Sequence, residues 1–355
     1  MVALAIGMLA AIVMMQMFAL SEERSRTAST GGDAQTNGII TFYQLQSNIN
    51  RAGYGFNSIS LFNCNTTWKV ASGSLLSNAV RIAPVTINPI SGASTALIPA
   101  GDPNTDTLLV MFGNGNGQPE GNKADTATNP VYTMQMANSF TVGDRVIAAA
   151  SDVPDVCAAN LLIDQISTVA PTTVTVAAGA TGTTLFNLGP GVAGLPTAAG
   201  PNGPTILAYA IRGGNLTTCD FVLNDCSLAA NTGDAAVWEP IASNIVSLRA
   251  QYGQDTSSSM IGVVDSYNQT TPTTACGWAR ASAVRLALVA KSAQFEKTVV
   301  TAAAPVWDGS ASTAIDLTKK PDGTANPNWQ NYRYKLFQAV MPIRNVAWMG
   351  VPTGC

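Results

Sequence analysis

The first twenty residues, MVALAIGMLAAIVMMQMFAL (1–20), contain no charged side chain, and Gln16 is the only polar one among them. A helix rises about 1.5 Å per residue, so this stretch would extend roughly 30 Å, the hydrocarbon thickness of a bilayer. No basic residue precedes Arg24, and the apolar run is longer than that of a cleaved secretory signal. The stretch therefore predicts a transmembrane helix that serves as an anchor rather than as a discarded signal.

A ridge of small residues runs along this predicted helix, since Ala3, Gly7 and Ala11 are spaced four residues apart. Such ridges let helices approach one another closely in apolar surroundings. Small residues are also common in membrane helices in general, which is the plainer interpretation. We take the ridge as the candidate helix-packing site.

The pattern becomes amphipathic after the polar segment that begins SEERSR. Apolar residues at spacings of three, four and three predict one helix face that packs on a sheet; they are Phe42, Leu45, Ile49 and Ala52. We therefore predict an N-terminal helix over 1–52, with an apolar segment at 1–20 and an amphipathic half at 33–52. The remainder, 53–355, is predicted to be a β-rich extracytoplasmic domain.

The composition excludes much familiar chemistry. Among 355 residues there is no histidine, which removes the serine–histidine–aspartate triad, the cysteine–histidine dyad and the HExxH zinc site. Charged residues make up 11% and the net charge is −3, with no basic run, so no nucleic-acid site is predicted. We predict a non-enzymatic protein with no cofactor and no metal.

Six cysteines in a chain with a membrane segment favour disulfides, because no Cys-x-x-Cys or Cys/His cluster is present. The short DFVLND loop makes Cys219 and Cys226 the preferred pair. The other pairings are less constrained, and free buried thiols are the alternative. For the remaining four we prefer Cys276 with Cys355 and Cys64 with Cys157.

Short apolar runs separated by Gly, Asn, Pro and Asp turns predict antiparallel strands from residue 56 onward. The Thr-, Ala- and Gly-rich segment 167–204 is predicted to be a surface excursion or a set of weak edge strands. A short helix is predicted at the start of WEPIASNIVSLRAQYG (238–253). The apolar face switches between Leu336 and Phe337, which predicts a bulge or bend there.

Several phrases resemble type IV pilins, especially the PilW-type minor pilins. The apolar helix ending in QLQSNINRAGYGF matches the family's N-terminal helix, with Arg51, Ala52, Gly53 and Tyr54 in its closing phrase. Later phrases resemble the family in order, and these are DTLLV, FTVGD, AYAIRGGNL, IVSLRAQYG, AVRLALVAKS and FQAVMPIRN. The family's basic leader and its first mature residues, including an early Glu, have no counterpart before Met1. We expect a start upstream of Met1 or a truncated form, and assign no processing site.

The resemblance implies an α+β, pilin-like fold in which the long N-terminal α-helix packs on an antiparallel β-sheet domain with loop-rich insertions. It implies a minor pilin that takes part in pilus initiation or in a tip complex, and through pili in adhesion, twitching motility or DNA uptake. Implied partners are other pilins, bound through the N-terminal helix, and the inner membrane before assembly, with a surface or glycan ligand possible. The implied location is the bacterial inner membrane with a periplasmic domain, then the extracellular pilus.

Two other functions fit the sequence. A type II secretion pseudopilin of the J type shares the helix and the late strands, but such chains are usually much shorter. A membrane-anchored extracytoplasmic carbohydrate-binding module or carboxylate-based hydrolase belongs to a different class, and a carboxylate pair in a cleft would support the hydrolase.

Three weaker site candidates remain. Asp255 and Asp265 could bind calcium in a loop, although the regular Asp spacing of a calcium loop is missing. A carbohydrate surface would use tryptophans that more often lie in a core, namely Trp278, Trp307, Trp329 and Trp348. Five basic residues on strand segments could make subunit contacts, and the plainer interpretation is that they form the solvent-exposed face of a sheet. They are Arg285, Lys291, Arg333, Lys335 and Arg344.

Overall fold

The structure is a computed structural model, and it describes residues 2–355 with short gaps. The gaps are 69–75, 77, 92–94, 116, 119, 150–153, 155, 156, 158–160, 180, 193, 194, 200–202 and 311–313. Side chains are described for the remaining residues except 2–5, 9, 19, 20, 22–31, 33, 91, 191, 192 and 195–199.

Strands account for most of the regular structure, and their bounds follow in chain order. They are β1 (Asn65–Thr67), β2 (Val80–Arg81), β3 (Val85–Ile87), β4 (Ile90–Ser91), β5 (Thr95–Ala96), β6 (Leu108–Phe112), β7 (Asn122–Lys123), β8 (Thr126–Thr128), β9 (Val131–Thr133), β10 (Arg145–Ala149), β11 (Leu161–Ala170), β12 (Thr173–Val176), β13 (Thr184–Gly189), β14 (Gly191–Val192), β15 (Leu195–Ala199), β16 (Thr205–Arg212), β17 (Asn215–Asp220), β18 (Glu239–Ser243), β19 (Ile245–Gln254), β20 (Ser266–Asn268), β21 (Ala281–Lys291) and β22 (Tyr334–Pro342). The α-helices are α1 (Val2–Arg51), α2 (Ala275–Arg280) and α3 (Arg344–Trp348), and 3-10 turns lie at Ala229–Asn231 and Trp329–Asn331.

Three main sheets organise the described chain. A nine-stranded sheet has the order β7-β13-β10-β11-β12-β9-β8, with β1 and β2 joined through β11. A five-stranded sheet has the order β18-β17-β16-β6-β3, and a four-stranded sheet has the order β20-β19-β21-β22. The pairing is antiparallel except between β1 and β11, and the two-stranded ladders β14-β15 and β4-β5 complete the set.

The five-stranded sheet is the middle layer of the molecule. Along β6, Leu108 and Val110 face a core shared with the four-stranded sheet, whereas Leu109 and Met111 face a core shared with β10 and β13. Successive side chains of a strand point to opposite faces, so a strand buried on both faces must be apolar throughout. The run LLVMF meets this requirement, and all five of its residues are buried.

The helix α1 contributes its last turns to the first of these cores. Ala34, Leu45 and Ile49 are buried there together with residues of β6, β19 and β21. The C-terminal turns also contact β22, where the rings of Phe42 and Phe337 lie 6.3 Å apart. In contrast, Ile6 and the other described residues up to Phe18 are exposed.

The predicted fold class is wrong. The α+β, pilin-like description placed a long helix on one antiparallel β-sheet domain with loop-rich insertions. The described chain is instead mostly antiparallel β structure in three main sheets, and α2 and α3 are short. The reason is that the cores form mainly between sheets, because segments interpreted as insertions pair into strands with buried apolar side chains.

Three local predictions also differ from the structure. For 167–204 a surface excursion or weak edge strands was expected, and the described part forms strands, of which β13 is not an edge strand, because it lies between β7 and β10 with all six residues buried. The short helix predicted at the start of 238–253 is absent, since β18 occupies Glu239–Ser243. The bulge predicted between Leu336 and Phe337 is absent as well, because β22 pairs with β21 in one unbroken register.

Three disulfides tie the described chain together: Cys64–Cys157, Cys219–Cys226 and Cys276–Cys355. These are the pairings preferred from the sequence. The first joins the region after α1 to the approach to β11, and the third joins α2 to the C-terminus.

A membrane-spanning helix was predicted at 1–20. Among the residues that the structure describes, no helix is long and apolar enough to cross a membrane.

Candidate subunit-interaction surface

The N-terminal half of α1 exposes large apolar side chains on all sides. Met15 is 74% exposed and Phe18 is 76% exposed, and similar exposure is seen at Ile6, Met8, Ile12, Val13, Met14 and Met17. Contiguous exposed apolar surface of this kind marks an interaction site. Methionine suits such a site because its unbranched side chain repacks against different partners. We call these eight residues the apolar face of α1.

The C-terminal half of α1 has a buried stripe and an outward face. Ala34, Gly38, Thr41, Leu45 and Ile49 are buried at spacings of three and four residues. The outward face carries exposed apolar residues as well, and these are Ile39, Ile40 and Tyr43. The exposed apolar surface of the helix therefore continues beyond its N-terminal half.

Gly38 sets how closely α1 approaches β22. A methyl group built on Gly38 would overlap the ring of Phe337. The absence of a side chain therefore lets the helix backbone lie directly against that ring. Gly32 differs, because nothing lies within 4 Å of the corresponding position there.

The end of α1 is held by a residue from the far end of the sequence. The Nδ2 of Asn345 donates to the carbonyl oxygens of Arg51 and Ala52, both at 3.0 Å. The last carbonyls of a helix lack partners within the helix, so an external donor satisfies them. The two phrases RAGY and PIRN therefore meet in space, although 294 residues separate Arg51 from Asn345.

Further contacts fix the chain as it leaves α1. Gly53, with a φ of 85°, donates its N–H to the carbonyl of Met111 at 2.8 Å. The guanidinium of Arg51 stacks 4.5 Å from the centre of the Phe112 ring. Asn48 donates to the hydroxyl of Tyr209 at 2.7 Å. The direction of the exposed half of α1 is thus set by contacts to β6 and β16.

The predicted helix-packing ridge lies partly in this surface. Gly7 and Ala11 are exposed, whereas the side chain of Ala3 lies outside the described residues. On the predicted helix-on-sheet face, Leu45, Ile49 and Ala52 are buried in the core. Phe42 packs against that core from its edge.

The two candidate calcium ligands are engaged by protein donors. Asp255 accepts from the backbone N–H groups of Ser257, Ile261 and Gly262. Burial alone would raise the pKa of Asp255, but hydrogen bonds from Ser257, Ile261 and Gly262 outweigh it and lower the pKa to about 2. Asp265 accepts from the N–H and the hydroxyl of Thr256. These carboxylates therefore stabilise the loop.

The tryptophans suggested for a carbohydrate surface have different environments. Trp278 packs edge-on against Tyr252 in the core, and Trp307 is buried on the other face of the four-stranded sheet. Trp329 is half-buried, and Trp348 is 79% exposed. The two buried rings cannot take part in a surface platform.

The five basic residues suggested for subunit contacts divide in a similar way. Arg285 stacks on Tyr267 at 3.7 Å, Lys291 lies 4.4 Å from the Tyr332 ring, and Arg333 pairs with Glu296 at 2.6 Å. Lys335 and Arg344 are exposed. Most of this set is held within the domain.

One part of the chain matches a known family. Residues 209–345 match the family described as type IV pilus-assembly protein W, PilW. The match supports a PilW-type assignment. No curated protein and no solved structure matches the chain.

The PilW match covers most of the elements that contact α1, although β6 lies outside it. It begins in β16 at Tyr209, includes all of β17 to β22, and ends at Asn345, the residue that caps α1. A PilW-type assignment supports a role related to type IV pilus assembly. It implies interaction with other pilus components and a cell-envelope location, and it suggests a non-enzymatic role.

Sequence reasoning missed Asn345 and Gly38 as functional positions. The phrase containing Asn345 was noted, but nothing in it reveals that its amide reaches the end of α1. Gly38 was not singled out, because a glycine in a helix gives no sign of the ring that will lie against it.

Proposed function

We propose that the protein is a minor subunit of a type IV pilus that acts in pilus initiation or in a tip complex. The observation that carries the proposal is the apolar face of α1, from Ile6 to Phe18, which extends beyond the cores of the domain. An apolar helix surface of this length is costly in water and is stabilised when other apolar helices cover it. The PilW match supports pilus components as those partners.

Before assembly, the same helix holds the subunit at the inner membrane, and after assembly the subunit is part of the extracellular pilus. A bilayer and a bundle of apolar helices are both dry, so one sequence suits both surroundings. The ridge of Ala3, Gly7 and Ala11 is the contact between helices in this proposal. Adhesion and twitching motility follow from the pilus that the subunit helps to assemble.

Site-specific photo-crosslinking in piliated cells tests the proposal. A photoreactive phenylalanine analogue replaces Phe18 in the apolar face, and in a matched control it replaces Val299, which is also exposed but lies on the globular domain. We expect crosslinks from position 18 to other pilus subunits and none of these from position 299. Crosslinks to pilus subunits from neither position, in cells that carry normal amounts of the protein, would reject it.

A further inference from the structure

A cleft of about 330 Å³ lies on the face of the four-stranded sheet that points away from α1. Along β21, Ala287 and Val289 pack with Trp307 on one face of the sheet, whereas Leu286 and Leu288 face the core that contains α1. Lys291, at the end of β21, lies on the same face as Ala287 and Val289, because alternate residues of a strand share a face. The cleft volume falls at the lower end of the ligand-pocket range, roughly 300–1,000 Å³. Its position leaves it accessible when other helices cover α1.

The walls of the cleft come from several parts of the chain. The glycine turn between β16 and β17 supplies Gly213 and Gly214, the end of β21 supplies Lys291, and the segment 316–326 supplies Lys319 and Lys320. Tyr332 and Tyr334 close the remaining side.

The acidic side chains of the cleft are already engaged by protein donors. The two carboxylate oxygens of Asp102 accept from the N–H groups of Gly213 at 2.9 Å and Gly214 at 2.7 Å. The oxygens of Asp316 accept from the N–H of Thr318 and the amide of Asn104, both at 2.9 Å. These carboxylates help to build the walls of the cleft. The hydrogen bonds do not remove their charge, so the cleft holds three lysines against two carboxylates.

Lys291 is the cation of the cleft that lies on the four-stranded sheet itself. Its Nζ lies 4.4 Å from the centre of the Tyr332 ring, and none of the ion pairs among the described residues includes it. Lys291 is partly buried, and this burial lowers the pKa of its ammonium because it removes water from the charged form. Lys319 and Lys320 are exposed and extend the positive rim, where Lys319 also interacts with Asp316.

The cleft thus offers three ammonium donors, and among the described residues no carboxylate forms an ion pair with Lys291. A bound oxyanion supplies acceptor oxygens, and hydrogen bonds between an ammonium and an oxyanion are shorter and stronger than neutral ones. We propose that this cleft binds an oxyanion group, the carboxylate of an acidic saccharide or a phosphate group, with Lys291 as its central contact. The inference does not depend on the proposed function, since it rests on the four-stranded sheet and its neighbours alone.

Isothermal titration calorimetry on the full chain tests the proposal at low ionic strength. The chain is kept in a polyoxyethylene detergent, because maltoside or glucoside detergents would compete as sugars. The probes are sodium glucuronate, inorganic phosphate and neutral glucose. The variants are Lys291→Met, Lys291→Arg and, as a matched control, Lys297→Met, which removes an exposed lysine outside the cleft.

We expect glucuronate, phosphate or both to bind, and to bind about tenfold more weakly to Lys291→Met, while Lys297→Met stays within about twofold of the original chain. Lys291→Arg keeps the cation and should retain binding, which separates lost charge from lost folding. Tighter binding of glucuronate than phosphate identifies an acidic saccharide, and the reverse order identifies phosphate. The proposal is overturned if neither anion binds, if Lys291→Met binds them unchanged, or if glucose binds as tightly as glucuronate.

Discussion

Individual residues in this protein act through their neighbours more than through their own type. Gly38 is a poor helix former, yet it permits the contact between α1 and Phe337. Asp220 is an acidic residue at the end of β17, and burial raises the pKa of its carboxyl to about 6. Both effects come from packing, so neither was predicted from the sequence.

Replacement of Gly38 by alanine should destabilise the protein. Alanine gains about 1 kcal/mol of helix propensity over glycine, but the added methyl group overlaps the Phe337 ring, and overpacking costs about 1–3 kcal/mol. We expect a net loss of about 1 kcal/mol in the free energy of unfolding, measured by urea denaturation.

The matched control is Gly32→Ala, where the space is open and the same change should stabilise by about 0.5–1 kcal/mol. The double variant Gly38→Ala/Phe337→Leu should recover part of the loss. Equal effects of the substitution at positions 38 and 32 would contradict the account.

Because of Asp220, the free energy of unfolding should fall as the pH rises from about 4 to about 6. An unfolded Asp titrates near 3.9, and the folded carboxyl near 6 because of burial, although the N–H of Val222 opposes that shift. Over this window the folded state binds more protons than the unfolded state, so the free energy of unfolding declines as pH rises and levels off above about 6. The full change is on the order of 2 kcal/mol.

Asp220→Asn should flatten this decline in denaturation curves measured from pH 4 to pH 7. The control is Asp322→Asn. The hydroxyl and N–H of Thr324 lower the pKa of that exposed carboxyl, so its titration lies below the window. A decline that persists in Asp220→Asn would assign the effect to another group.

At the scale of elements, the junction between α1 and α3 depends on one amide. Asn345 satisfies two carbonyls at the end of α1, and the chain then turns at Gly53 into contact with β6. This junction helps to set the direction in which the exposed half of α1 leaves the domain. The sequence predicts the helix from its apolar periodicity and its end from the glycines of RAGYG. It does not predict that Asn345 is the partner of that end.

Asn345→Ala should lower the free energy of unfolding by about 1 kcal/mol, because the carbonyl of Ala52 loses this donor and the carbonyl of Arg51 keeps only the N–H of Tyr54 at 3.3 Å. Asn328→Ala is the matched control, since Asn328 is exposed and its side chain makes no capping bond. We expect the control to change the free energy of unfolding by less than about 0.5 kcal/mol. Equal losses from the two variants would argue against the cap.

The sequence predicted the elements whose secondary structure depends on local patterns. β6, β19 and β21 were placed because apolar runs and alternation are local signals. The division into three sheets was not predicted, since it depends on which strands pair over long distances. β13 was not predicted, because it lies in a Thr- and Gly-rich segment and is buried only through its neighbours β7 and β10.

For the whole molecule, the disulfides should differ in their contribution to stability. Cys64–Cys157 closes a loop with a sequence separation of 93, and Cys219–Cys226 closes one of 7. In the chain-entropy account these loops correspond to about 4–5 and about 2 kcal/mol. Paired Cys→Ala variants, compared by denaturation, should show the larger loss for the first pair. The reverse order would mean that native packing, and not loop closure, dominates.

The proposed function requires that the apolar face of α1 contacts other pilus components. The most direct measurement is the amount of the protein in pili sheared from cells that carry Met15→Asp, compared with Val299→Asp on the globular domain, with total cellular protein matched. We expect Met15→Asp to be lost from the sheared fraction and Val299→Asp to be retained, because a carboxylate is costly in a dry helix interface. Normal recovery of Met15→Asp in sheared pili would contradict it.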